Sequence, residues 1–67
     1  MIALFLEDEI TKFIHSFYST DAFEQFLKEN DIKKYTRVNL IFYLNDEINM
    51  EMTKIYKKRY LQNDVVL

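Results

Sequence analysis

The chain of 67 residues contains neither glycine nor proline, and that restricts how its backbone can turn. Glycine is the usual residue at left-handed positions, and proline pre-sets φ in tight turns. Every break therefore falls to Ser, Thr, Asn or Asp, which cap helices and tolerate turn conformations. Such breaks stand at Ser19-Thr20-Asp21, Asn30-Asp31, Asn45-Asp46 and Asn63-Asp64. The hydrophobic pattern lies between them.

From Ile2 to Tyr18, the residues Ala3, Leu6, Ile10, Phe13, Ile14 and Phe17 recur at the spacing of one helix face. Thr11, Lys12, His15 and Ser16 fall on the other side. The spacing predicts a helix over 2–18. Asp21 followed by Glu24 is a capping pair, and it predicts a second helix over 22–29, with Phe23, Phe26 and Leu27 facing inward. Asn30-Asp31 ends that helix, because Asn replaces a missing Gly at helix C-termini.

The stretch YTRVNLIFYL (35–44) fits two patterns. Alternation of Val38, Leu40, Phe42 and Leu44 suits a strand. The stripe Ile41, Leu44, Ile48, Met52 and Ile55 suits a helix over 36–62. A lone strand has nothing to pair with, so the helix is preferred. It would reach roughly 40 Å, well beyond a domain with a radius of gyration of roughly 11 Å. Either it breaks near Asn45, or its overhang packs on another molecule.

The expected fold is therefore all-α, a single helical domain over 1–67. It is a small three-helix bundle whose first and third helices run antiparallel around Phe13, Phe17, Phe26, Ile41 and Ile48. The segments AFEQFL (22–27), NLIFYL (39–44) and KIYKKRYL (54–61) resemble helices of the regulator-of-G-protein-signalling domain. That domain is much longer than this chain, and no function is carried over from it.

Composition narrows the function. Apolar residues make up 49% of the chain, and six Phe and five Tyr are among them. A chain this short buries only about 60% of its unfolded surface. Large side chains must then remain outside, and a contiguous apolar patch marks a partner site. Leu4, Phe5, Tyr43, Met50 and Leu61 fall off the expected core faces and are the candidate patch. The apolar tail Val65-Val66-Leu67 adds Val66 and Leu67. Arg59 falls on the apolar stripe, as a snorkelling stem or as an arginine reaching a partner carboxylate.

Catalytic constellations are missing. There is no Cys, hence no thiolate nucleophile or thiolate metal site. The single His15 has only Asp8, Ser16 and Ser19 to work with. No glycine-rich phosphate loop can exist without glycine. Glu47 and Glu51 sit one turn apart on an exposed helical face, where nothing shelters a carboxylate. No enzyme, metal or cofactor is expected.

The stretch KIYKKRYL raises nucleic acid as an alternative. Lys54, Lys57 and Lys58, with Lys33, Lys34 and Arg37, would form a dimeric phosphate-binding surface if the fold joined them. The net charge of −2 argues against it. Lysines near a helix C-terminus already have a local explanation in the helix dipole, and Glu51 is placed to pair with Lys54 and Lys58.

MIALFLEDE lacks the basic start of a signal peptide, and its apolar run is too short to span a membrane. A small domain without disulfides suits the cytoplasm. The richness in Ile, Lys, Asn, Tyr and Phe points to an AT-rich genome, such as a low-GC bacterium, its phage or a plasmid. The function expected is a non-enzymatic protein-binding module of phage or mobile-element type. It would modulate or inhibit a larger host protein in the host cytoplasm and form a homodimer, with no membrane partner. A purely structural assembly subunit is a third possibility.

Overall fold

IALFLE and KFIHSF are two strands, not one helix. The structure, a computed structural model, describes residues 1–61. Strand β1 (Ile2–Glu7) pairs antiparallel with β2 (Lys12–Phe17) and with β3 (Arg37–Leu44). A two-residue β4 (Glu47–Ile48) closes the sheet in the order β2-β1-β3-β4. Helix α1 (Thr20–Glu29) connects β2 to β3 through a 3₁₀ turn at Ile32–Lys34. Helix α2 (Met50–Tyr56) follows β4 and runs into a π-helical turn at Lys57–Leu61. The expectation of an all-α three-helix bundle is thus corrected to an antiparallel sheet backed by short helices.

The reason lies first in the turn after Glu7. Asp8 Oδ1 accepts from the Ile10 amide at 2.9 Å, the Thr11 amide at 2.8 Å and the Thr11 hydroxyl at 2.6 Å. The Asp8 amide donates to the Thr11 carbonyl at 2.9 Å. An Asp side chain that captures its own following amides competes with helix formation. The chain reverses there, and Glu7 meets Lys12 across the hairpin. Ile2, Leu4 and Leu6 then line one face opposite Phe17, His15 and Phe13. Ala3 and Ile14, two members of the expected helical stripe, go to the other face. Ile10 sits at the loop tip, 94% exposed.

With β1 in place, residues 37–44 have a partner, and the alternation of Val38, Leu40 and Phe42 prevails over the helical stripe. The expected helix over 36–62 is replaced by β3, β4 and α2. Asn45 and Asp46 form the two-residue turn of the β3–β4 hairpin, with φ of 53° and 65°. Positive φ at both central residues is the type I′ pattern that suits strand twist. In the absence of glycine, Asn and Asp carry it.

α1 is the expected second helix, extended at its start. Its N-cap is Ser19, whose hydroxyl accepts from the Ala22 amide at 3.1 Å, where the sequence suggested Asp21. Asn30 ends it at the expected place, but in extended backbone (φ −133°) and not in the left-handed conformation in which Asn replaces Gly. NLIFYL lies inside β3, so the resemblance to regulator-of-G-protein-signalling helices falls with the bundle.

The core lies between the sheet and both helices. Ile2, Leu4, Leu6, Phe23, Leu40, Tyr56 and Leu61 are buried together. A π turn bonds residue i to i+5, which puts Leu61 on the same side as Tyr56. Tyr56 Oη shares a 2.8 Å hydrogen bond with Thr20 Oγ1, and Tyr60 donates to Glu24 Oε2 at 2.5 Å. Donation to that carboxylate raises the Tyr60 phenol above its usual 10.0. Thr53 accepts from the Phe42 amide at 2.9 Å and fastens α2 to β3.

Two outcomes follow from these turns. Asp46→Gly should raise the urea midpoint at unchanged m, worth about 0.5 kcal/mol once the entropy cost of glycine is deducted. A lowered midpoint would contradict the turn assignment. The donors around Asp8, the Thr11 hydroxyl foremost, hold its pKa below 3.8. A depressed folded-state pKa adds stability at higher pH that is lost as pH falls through the folded value. Asp8→Ala should melt earlier than wild type at neutral pH, and the gap should close on acidification below 3.8. A gap independent of pH would exclude the carboxylate as its source.

Candidate protein-binding face

Both helices pack on the face that carries Leu4 and Leu40. Among the described residues nothing packs on the opposite face. The register assigns its cross-strand rows. Lys12, Glu7 and Arg37 form a charged row at one end. Ile14, Phe5 and Asn39 form the next row, then Ser16, Ala3 and Ile41. Tyr43 and Ile48 stand opposite each other at the far end.

An antiparallel sheet with one wet face normally alternates apolar inward and polar outward. This sheet breaks that rule. Ile14 is 67% exposed and Ile48 52%, while Phe5, Ile41 and Tyr43 are half-buried. An open depression of about 330 Å³ lies over the face, lined by Phe5, Glu7, Arg37, Asn39 and Ile41. A second, of about 320 Å³, lies at the tyrosine end between Met1, Tyr18, Tyr43, Asn45 and Asp46. Tyr18 is 88% exposed beside it.

The charged row is loosely tied. Lys12 Nζ lies 3.7 Å from Glu7, the one ion pair among the described residues. Pairs this exposed contribute little. Arg37 borders the depression and makes no ion pair among the described residues. Glu51, expected to pair with Lys54 and Lys58, makes none either.

Of the residues expected to form a binding patch, the structure brings Phe5 and Tyr43 onto this face. Leu4 and Leu61 are core residues, 0% and 7% exposed, because the strand register and the π turn point them inward. Met50 is exposed at the start of α2, outside the strand register that forms the face. Arg59 is exposed on the π turn. Val66 and Leu67 lie outside the described residues. Sequence reasoning missed Ile14, Ile41 and Ile48 as surface residues. The only signal for Ile14 was the pair of short apolar runs flanking Asp8–Thr11, which the helical stripe matched as well.

The basic residues fall into two groups on different elements. Lys33 and Lys34 sit on the 3₁₀ turn, with Lys34 5.4 Å over the Tyr35 ring, and Arg37 opens β3. Lys54, Lys57 and Lys58 follow from α2, which is anchored near the other end of β3, where the Asn49 amide donates to the Phe42 carbonyl. Tyr56 and Tyr60 of KIYKKRYL face the core and α1, not the lysines.

The groups weighed for catalysis also part company. His15 packs against Phe26 at 4.7 Å on the core face, while Ser16 points to the opposite face and Ser19 caps α1. Asp8 is occupied by its own turn. Among the described residues no three His, Cys, Asp or Glu side chains converge on a metal position. No helix there is long and apolar enough to cross a membrane.

Comparison with protein-family models, with curated proteins and with solved structures gives no match, so the face is read from its own chemistry.

If Ile48 and Arg37 contribute nothing to the core, Ile48→Asp and Arg37→Glu should each change unfolding free energy by no more than about 0.5 kcal/mol in denaturant titrations. A loss of several times that would make the face structural.

Proposed function

We propose that the chain is a non-enzymatic protein-binding module that docks on a larger protein through the open face of its sheet. It would act as a small modulator or inhibitor of phage or mobile-element type, in the host cytoplasm. One observation carries the proposal: the water-facing register of the sheet holds Phe5, Ile14, Ile41, Tyr43 and Ile48 where polar residues belong. Unsatisfied folding requirements do not explain them, since the core is built from the other face.

The face also states what fits it. Its middle carries Ile14, Phe5 and Ile41 around an open depression, and Arg37 borders that depression at the charged end. A partner with an apolar surface bordered by a carboxylate would match, with the guanidinium making a two-pronged contact. Aromatic and arginine anchors are the usual centres of binding energy.

Tagged protein is incubated with lysate of the source organism, or of its host, with nuclease and moderate salt. The expected result is a protein retained near stoichiometry by wild type and by a Lys28→Glu control on α1. It should be lost with Ile48→Asp and with Arg37→Glu. Retention by both face variants would sink the proposed face. Disappearance of all bound material on nuclease treatment would instead favour the basic residues Lys33, Lys34, Arg37, Lys54, Lys57 and Lys58 as a nucleic-acid surface.

A further inference from the structure

The hydrogen-bond phase of the sheet identifies a second surface. The Met1 ammonium donates to the Tyr43 carbonyl, and the Tyr43 amide donates to the Met1 carbonyl, each at 2.8 Å. Bonded and non-bonded pairs alternate along an antiparallel ladder. Odd-numbered residues of β1 and β3 therefore bond each other. Even-numbered residues of β3 point away from β1, as Phe42 shows by bonding Asn49 and Thr53. By the same alternation Ile2, Leu4 and Leu6 turn their main chain toward β2, where they meet Phe17, His15 and Phe13. The amides and carbonyls of Lys12, Ile14 and Ser16 are left facing outward along the edge of the sheet.

This edge lacks the usual protections. It has no proline and no bulge, and Lys12 is its only charge. Its flanks are apolar on both faces, with Ile14 67% exposed on one and Phe13 43% exposed on the other.

We infer that β2 pairs antiparallel with β2 of a second copy of this chain, about a two-fold axis through Ile14. The outward phase allows only registers that set an even-numbered residue against an even-numbered one. Centred on Ile14, Lys12 lies opposite Ser16 of the second copy, and Phe13 opposite its His15. No like charges meet. Centring on Lys12 would oppose two lysines. Charge excludes the Lys12-centred register, and among the others the one centred on Ile14 sets the most exposed apolar side chain of the strand, 67% exposed, against its own copy.

The axis stands perpendicular to the sheet, so both open faces stay on the same side. The row of Asn39, Phe5 and Ile14 continues into Ile14, Phe5 and Asn39 of the second copy. The dimer doubles the docking face without covering it.

The test is sedimentation over a concentration series, with Ile14→Lys and Ile14→Cys. Wild type should be dimeric at high concentration. Ile14→Lys sets two lysines against each other and should weaken the dimer at least about tenfold, with circular dichroism showing the monomer fold intact. Across a bonded pair the Cα atoms stand about 5.5 Å apart, within disulfide reach. Ile14→Cys should therefore oxidise to a covalent dimer, and Lys28→Cys should not. Ile48→Asp, at the other edge, should dimerise like wild type, which separates this proposal from the docking face. Overturning results are a wild-type monomer at about 1 mM, or a dimer undiminished in Ile14→Lys with no cross-link in Ile14→Cys. A monomer whose β2 amides become protected only by a strand from a different protein would also overturn it.

Discussion

Everything in this structure hangs on β1 being bonded along both edges. Its odd residues hold β3 and its even residues hold β2. Its even side chains, Ile2, Leu4 and Leu6, are the floor on which α1 and α2 sit. A strand in this position needs apolar residues on both sides only if both faces are covered. IALFLE has them on both sides, and among the described residues only one face is covered. The core and the open face are thus two consequences of one six-residue segment.

That dependence also explains what the sequence could and could not reveal. α1 was legible because its signals are local: a break at Ser19-Thr20-Asp21, although the cap is Ser19 and not Asp21, an inward trio of Phe23, Phe26 and Leu27, and Asn30 at the end. The strands were not, because their stability comes from pairing between distant segments. Ala3, Leu6, Phe13 and Phe17 satisfy a helical spacing by coincidence; once Asp8 reverses the chain, Leu6, Phe13 and Phe17 share the core face and Ala3 turns to the other. Once 2–18 is taken as helix, residues 37–44 lose their only partner and look helical too. A single misplaced turn therefore propagates through the whole fold. The decisive residue is Asp8, whose carboxylate binds three donors within its own turn. An Asp in that position carries no signature distinct from an N-cap.

The candidate site was legible only in outline. An excess of large apolar residues over available interior is a composition argument, and it survives any fold. Which residues form the excess depends on register. Phe5 and Tyr43 were found by helical geometry and lie on the open face for a different reason, their odd place in β1 and β3. Leu4 fails because adjacent strand residues point to opposite faces.

The basic stretch KIYKKRYL shows how burial settles a chemical question that charge leaves open. Its lysines are as positive as those of a nucleic-acid surface. A base-stacking platform needs aromatic rings in solvent beside them. Tyr56 instead packs 5.0 Å from Phe42 and Tyr60 5.0 Å from Phe23, with both hydroxyls bonded to α1. These tyrosines close the core, and their hydroxyls tie α2 to α1 where a chain so short has few other contacts between helices. Phe5, Ile14, Ile41, Tyr43 and Ile48 lie on the face of the sheet opposite both helices. The lysines of KIYKKRYL are thus left without their own tyrosines exposed beside them, while Lys12 and Arg37 share the open face of the sheet with its apolar rows.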